Sequence, residues 1–357
     1  MSWRSRSASR QAGALALLLA GLASVRGVAV AEAQASHAEL WGVEQPLVFR
    51  LSFDRKAVYR DRDTLSTKTY PAMLTWADSA GAMHAVAVTL RTRGHFRLAS
   101  QNCDTPPLRL RFEKADVKGT PFRGQRNLKL VNACRTGDRY DEYIRREHAV
   151  YRVHNLITDW SFRSRLATVT YADTLGSGAP ATRTAMLLED EDEVAQRHGA
   201  KVWKKGRARM VDTKPGLMTM SALFEYFAAN IDWSVPAQHN FRLFEVEQDV
   251  LYPVPYDFDW SGMVDAPYAF PDARLKIRSV RERLYRGPCR TADAMAPVFQ
   301  RFHEQRSAIE AVYTTQPGLS PAYVKNTLAY IDEFFRTIDT PSRWASEMER
   351  MCVKDIP

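Results

Sequence analysis

Apolar and polar positions alternate through the first third of the chain, and that period of two predicts β-strands. Leu-Val-Phe-Arg-Leu-Ser-Phe within 46–54 reads as one strand. A pair over 70–76 and 83–92 is joined by Asp78-Ser79-Ala80-Gly81, a sequence suited to a hairpin turn. Leu108-Arg109-Leu110-Arg111-Phe112 and Asn127-Leu128-Lys129-Leu130-Val131 set basic residues opposite the apolar ones. Both predict half-exposed strands, with Lys129 on the polar face of its own. The expectation is a largely antiparallel β unit.

The spacing then changes. Ile144, Ala149, Val150, Val153, Leu156 and Ile157 recur at helical intervals, predicting a helix that begins within 138–141 and runs to about 158. Strands over 166–171 and 184–188 flank the turn Gly176-Ser177-Gly178-Ala179-Pro180, and 189–196 reads as helical. The second half is mainly α. An amphipathic helix over 218–230 carries Leu223, Phe224, Phe227 and Ala228, and further helices cover 291–313, 321–338 and 342–352. Ser320-Pro321 supplies an N-cap and first-turn pair for the second of these. A hairpin over 241–246 and 250–254 lies between. No internal repeat interrupts this order. The expected fold class is α+β, two-lobed, with a β-rich N-terminal lobe over 34–190 and an α-rich C-terminal lobe over 191–357.

Where the two expected lobes meet, the stretch 230–259 gathers four oxygen-bearing side chains, Asp232, Asn240, Asp257 and Asp259. Trp, Phe, Tyr or Ile flanks each Asp, so each is expected against an apolar wall. A carboxylate there is costly unless a cation or a set of donors satisfies it. Two or three carboxylates with an amide suit a hard cation such as Mg²⁺. Phosphoryl transfer asks for such ligands, a cation for the nucleotide phosphates, and a carboxylate to orient the attacking hydroxyl. Asp257-Phe258-Asp259 read by itself also suits a turn whose carboxylates cap backbone groups. Arg93-Gly94-His95-Phe96-Arg97 holds too little glycine to read as a phosphate-binding loop, and no G-x-S-x-G elbow supports a Ser/His/Asp hydrolase.

Composition changes the picture at three points. Arg4, Arg6 and Arg10 precede an Ala/Leu run over 12–23, and Ala29-Val30-Ala31 and Ala31-Glu32-Ala33 match a cleavage pattern. Residues 1–33 are therefore expected to be a signal peptide, too short in its apolar run to span a bilayer, and the chain is expected to be exported, to the periplasm or beyond the cell. Cleavage after Ala33 would remove four arginines and Glu32, so the formal charge of +9 becomes +6. No Lys/Arg run is dense enough for a nucleic-acid patch; Lys201, Lys204, Lys205, Arg207 and Arg209 come nearest and read as a solvated loop. The four cysteines allow three pairings, of which proximity favours Cys103 with Cys134 and Cys289 with Cys352.

Several stretches together resemble the CotH-kinase family, secreted or spore-coat proteins with an atypical, protein-kinase-like fold. They are Arg93-Gly94, Arg126-Asn127-Leu128-Lys129-Leu130, Arg145-Arg146-Glu147 and Ala185-Met186-Leu187-Leu188-Glu189-Asp190-Glu191. Asn230-Ile231-Asp232-Trp233 with His239-Asn240, and Pro253-Val254-Pro255-Tyr256-Asp257-Phe258-Asp259, are the most specific. The resemblance covers about half of the chain, roughly 91–262. It implies one kinase-like domain over both lobes that uses ATP and Mg²⁺ to phosphorylate Ser or Thr hydroxyls of a protein. Asp232 would be the catalytic carboxylate, and Asn240 and Asp257 metal ligands, with Asp259 a second ligand or an orienting residue. Lys129 would meet the phosphates, oriented by Glu147 or, on spacing alone, by Glu142, and Glu189 would touch the adenine or ribose. Two alternatives share these residues: a non-catalytic envelope or surface binding protein on the same scaffold, and a kinase for a sugar or other small molecule.

Overall fold

Seven strands take up the alternation of the first half and close on themselves. A computed structural model describes residues 40–113, 117–176 and 178–354; the expected signal peptide lies outside them. The strands are β1 (Leu47–Phe53), β2 (Tyr70–Ala77), β3 (Met83–Thr92), β4 (Leu108–Phe112), β5 (Asn127–Asn132), β6 (Ser164–Asp173) and β7 (Ala181–Leu188). They form a closed barrel in the order β1-β2-β3-β4-β5-β7-β6. β6 returns parallel to β1, in register from Leu47 opposite Ala167 to Phe53 opposite Asp173, while every other pairing is antiparallel. Closure leaves none of these strands as an edge. The two-lobed, kinase-like architecture expected from the sequence is overturned: the fold is a closed barrel with helices packed against one side of it.

Leu47, Phe49, Leu51 and Phe53 of β1, Leu108, Leu110 and Phe112 of β4, and Leu128 and Leu130 of β5 fill the barrel. Their intervening residues point outward, where Val48 is exposed. β5 departs from this rule. Lys129 and Val131, on its outer face, are as buried as their inward neighbours, because a second core covers that side.

That second core comes from α2 (Asp138–Ile157), α4 (Pro215–Ala228), α5 (Ala292–Thr315) and α6 (Pro321–Ile338). Its centre is aromatic: Phe224 lies 5.5 Å from Phe258, and Phe227 lies 5.0 Å from Phe334. α1 (Arg55–Arg60), capped by Asp54, and α3 (Glu191–Arg197), capped by Asp190, are short. α7 (Pro341–Met351) closes the described chain. A small sheet of β8 (Lys201–Val202), β9 (Phe241–Glu247) and β10 (Val250–Pro255) lies in the order β10-β9-β8. No described helix is long and apolar enough to cross a membrane.

Both disulfides favoured by sequence proximity are present, Cys103–Cys134 and Cys289–Cys352. Gly262 marks a close approach of two segments. A Cβ there would stand 2.5 Å from the Val280 carbonyl oxygen and 2.9 Å from both the Ala229 Cβ and the Arg281 Cα. Backbone cannot yield as a flexible side chain can, so Gly262→Ala is expected to cost about 1–3 kcal/mol. Urea unfolding measures it; an unchanged midpoint would contradict the close approach.

Candidate functional site

The stretch 230–259 folds into two small turns, each carrying part of the acidic set. α4 ends at Ala229 in the left-handed region, and the chain then makes a tight loop in which Ser234 and His239 pair across. That loop folds Asn240 back onto Asp232. The Asn240 Nδ2 donates to the Asp232 backbone oxygen at 2.7 Å and to its Oδ2 at 3.1 Å. The other carboxylate oxygen, Oδ1, lies 2.9 Å from His239 Nε2. Arg286 holds the loop from behind, donating to the Ile231 carbonyl and, at 3.2 Å, to the Trp233 carbonyl, one on each side of Asp232.

The second turn leaves β10. Tyr256 N–H donates to the Asn240 carbonyl at 3.0 Å, which ties the two turns together. Asp257 has φ 65° and Asn240 φ 53°, left-handed conformations that Asp and Asn tolerate better than most residues. The Asp257 N–H donates to the Tyr151 hydroxyl at 2.8 Å. Phe258 is driven into the aromatic core, so Asp257 and Asp259 stand on either side of a buried anchor. Asp259 is itself buried, accepts from the Tyr268 hydroxyl at 3.1 Å, and lies 3.9 Å from Arg97.

The charges of the two turns influence one another. Burial and then Asp257 push the Asp259 carboxyl up to about 7, with Asp232 adding to the effect. Burial followed by Asp259 and Asp257 raises Glu147 well above the usual carboxylate range, while Arg97 and Arg93 oppose it. Asp232, Asn240, Asp257, Asp259 and Glu147 therefore share one neighbourhood, with Arg93 and Arg97 among them. Lys129 adjoins it: its ammonium lies 5.7 Å from the Tyr256 ring centroid and 5.2 Å from that of Phe162. Its ion-pair partner is Glu191 at 3.1 Å, rather than Glu147 or Glu142. Burial opposes ionisation of Glu191, yet Lys129 and Arg242 hold its carboxyl down to about 2.

Two expected participants turn elsewhere. Glu142 binds Arg146 at 2.8 Å and the Ser320 hydroxyl at 2.9 Å. Glu189 binds Arg197 at 3.1 Å and accepts from the Arg163 N–H at 2.9 Å, so its carboxylate is fully engaged in joining β7 to α3. The sequence assigns no site role to Arg93, Arg97, Glu191 or Tyr151, although Arg93 and Glu191 lie in stretches that carry the family resemblance. Neither the Arg93-Gly94 match nor the spacing of four between the two arginines tells a buried guanidinium from a solvated one.

The donor set can be tested for a cation. Among the described residues no donor hydrogen-bonds the Asp257 carboxylate, and the Asn240 Oδ1 accepts no hydrogen bond. Also among them, no group of three or more His, Cys, Asp or Glu gathers closely enough to hold a metal ion. Mg²⁺ commonly takes one or two carboxylates with substrate phosphates rather than an all-protein cage.

No protein-family model matches the chain, and no curated protein matches it. The resemblance to the CotH-kinase family therefore rests on the motifs alone.

The buried carboxyls carry a pH dependence. Burial and then Glu189 push Glu193 up to about 8, and Asp259 stands at about 7. The folded state holds these protons where the unfolded chain releases them, near 4.5 and 3.8, so their contribution to stability falls as pH rises to the folded values. His148 and His154, pushed down to about 3 by burial, act in the opposite sense, but only below their ordinary 6.5. The melting temperature is therefore expected to fall between pH 6.5 and 8, with Glu193→Gln flattening the upper part of that slope. A rise over the same window would contradict the burial of these groups.

Proposed function

We propose that this chain is exported and binds Mg·ATP at the two turns that carry Asp232, Asn240, Asp257 and Asp259, transferring the γ-phosphoryl group to a Ser or Thr hydroxyl of a protein. The observation that carries the reading is the meeting of two separate turns, Asp232 with Asn240 and Asp257 with Asp259, in one neighbourhood beside Lys129, Arg93 and Arg97. Asp232 accepts hydrogen bonds on both oxygens and is oriented by Asn240 and His239, which suits a carboxylate that positions an acceptor hydroxyl. Asn240 and Asp257, with Asp259, would hold the cation. Lys129, Arg93 and Arg97 would meet the phosphates. Bound Mg²⁺ would neutralise charge on the phosphate oxygens as the phosphoryl group moves. Two disulfides and the expected signal peptide favour an oxidising compartment.

One observation favours a second reading, a non-catalytic binding protein. Arg97 lies 3.9 Å from Asp259, and Arg93 and Asp257 attract each other at longer range, so guanidinium groups already compensate part of the acidic charge. Incubating the purified protein with Mg²⁺, γ-labelled ATP and serine- and threonine-bearing proteins separates the two. Label on the protein, or on an added acceptor, is expected from the phosphotransferase. Binding of Mg·ATP without transfer leaves the binding reading, and the absence of both binding and transfer removes the phosphotransfer proposal.

A further inference from the structure

Four aromatic side chains from three segments form a continuous face beside the carboxylate cluster. Phe96 meets Trp260 edge-on with centroids 5.1 Å apart and lies 5.8 Å from Tyr268. Trp260 packs in turn against Phe270 at 4.8 Å. Phe270 is 61% exposed, a large apolar ring left uncovered by the fold. The face is built directly onto the site. Phe96 stands on the loop that carries Arg93 and Arg97, Trp260 follows Asp259, and the Tyr268 hydroxyl donates to the Asp259 carboxylate.

Phe270 also rims an open groove of about 540 Å³ between α2 and the segment 265–280. The charged residues of the groove are Arg139, Arg146 and Arg278, against Asp265 alone. Arg146 is paired with Glu142, but among the described residues neither Arg139 nor Arg278 has an ion-pair partner. Arg139 donates to the Tyr143 hydroxyl at 2.8 Å and is influenced by Asp265 only at longer range. Lys276 adds a further exposed cation on the same segment. Positive charge without a partner selects an oppositely charged ligand, and exposed aromatic rings beside arginines are the residue types that anchor protein interfaces.

We infer that the groove and the aromatic face dock an acidic segment of a partner protein that also carries an aromatic residue. On the phosphotransfer reading, on which this part alone rests, that partner is the acceptor. Its carboxylates meet Arg139 and Arg278, its ring lies against Phe270 and Trp260, and docking there brings the segment to the rim of the cluster at Asp259.

The test is fluorescence anisotropy of a labelled peptide, Asp-Glu-Asp-Ser-Phe-Glu-Asp-Glu, beside its Asn/Gln counterpart, titrated with the purified protein. The acidic peptide is expected to bind, more weakly as salt rises. The double variant Arg139→Glu, Arg278→Glu is expected to weaken it by roughly tenfold or more, and Phe270→Ser by severalfold. Equal affinity for the neutral peptide, or an unaffected charge-reversed variant, overturns the inference. Binding to phosphatidylglycerol vesicles that the same variants abolish, without peptide binding, overturns it in favour of a membrane surface. Peptide binding by a protein that does not respond to Mg·ATP supports the docking surface and removes only the phosphotransfer reading.

Discussion

Replacing Asp257 with asparagine is expected to lower phosphate transfer by at least about a hundredfold while leaving the melting temperature equal to, or above, that of the parent. The charge is what a cation at this position would use, and the electrostatic contribution of such an ion to phosphoryl transfer amounts to several kcal/mol, each 1.4 kcal/mol of which is about a factor of ten. Asparagine keeps the left-handed conformation at φ 65°, so the turn is not strained by the change. The carboxylate accepts no hydrogen bond among the described residues, so the change costs only its attraction for nearby cations such as Arg93. Its charge also raises Glu147 and Asp259, and removing it relieves both. Lost activity without lost stability distinguishes a functional carboxylate from one that merely caps a turn. Initial rates of label transfer, with thermal melting of the same preparations, measure the two together. A variant that transfers phosphate like the parent would remove Asp257 from the proposed site.

The second large effect is expected from the bridge between Cys103 and Cys134. It closes a loop with a sequence separation of 31, and the chain-entropy relation gives about 3–4 kcal/mol for a loop of that length. The bridge also fastens the segment between β3 and β4, which carries Arg93 and Arg97, to the end of β5. Thr105 donates to the Ala133 carbonyl at 2.7 Å, and the Asn132 Nδ2 donates to the Pro106 carbonyl at 2.8 Å, along the same seam. Replacing both cysteines with alanine is therefore expected to lower the urea midpoint strongly and to weaken Mg·ATP binding, since the two arginines lose their support. Calorimetric titration of the folded variant measures the second effect. A stability loss below about 1 kcal/mol would contradict the role given to this bridge.

Much of the secondary structure was legible because alternation and helical spacing are local. The strand expected at 127–131 and the helix expected from 138–141 to about 158 appear as Asn127–Asn132 and Asp138–Ile157. Barrel closure was not legible. Alternation shows which face of a strand is inward, but not that β6 returns beside β1, a pairing between segments more than a hundred residues apart. The helix Arg55–Arg60 was missed although its cap, Asp54 accepting from the Ala57 N–H at 2.9 Å, is a local signal. Within the site, Asp232 and Asn240 could be read as a pair because one short loop joins them. The surroundings of Lys129 could not. An alternating strand suggested a polar outer face, whereas Phe162 and Tyr256, distant in sequence, cover it and Glu191 takes its charge. Glu147 likewise faces Asp257 and Asp259, which only tertiary packing brings near.

The central claim is that these carboxylates hold a cation with a nucleotide, and thermal melting with Mg·ATP tests it most directly. A ligand that binds only the native state stabilises it by about 2.7 kcal/mol at a hundredfold excess over its dissociation constant, several degrees for a chain of this size. The melting temperature of the parent is expected to climb with Mg·ATP and to return to baseline when the cation is chelated, while that of Asp257→Asn stays flat. No rise in the parent, or the same rise in both proteins, would contradict the claim.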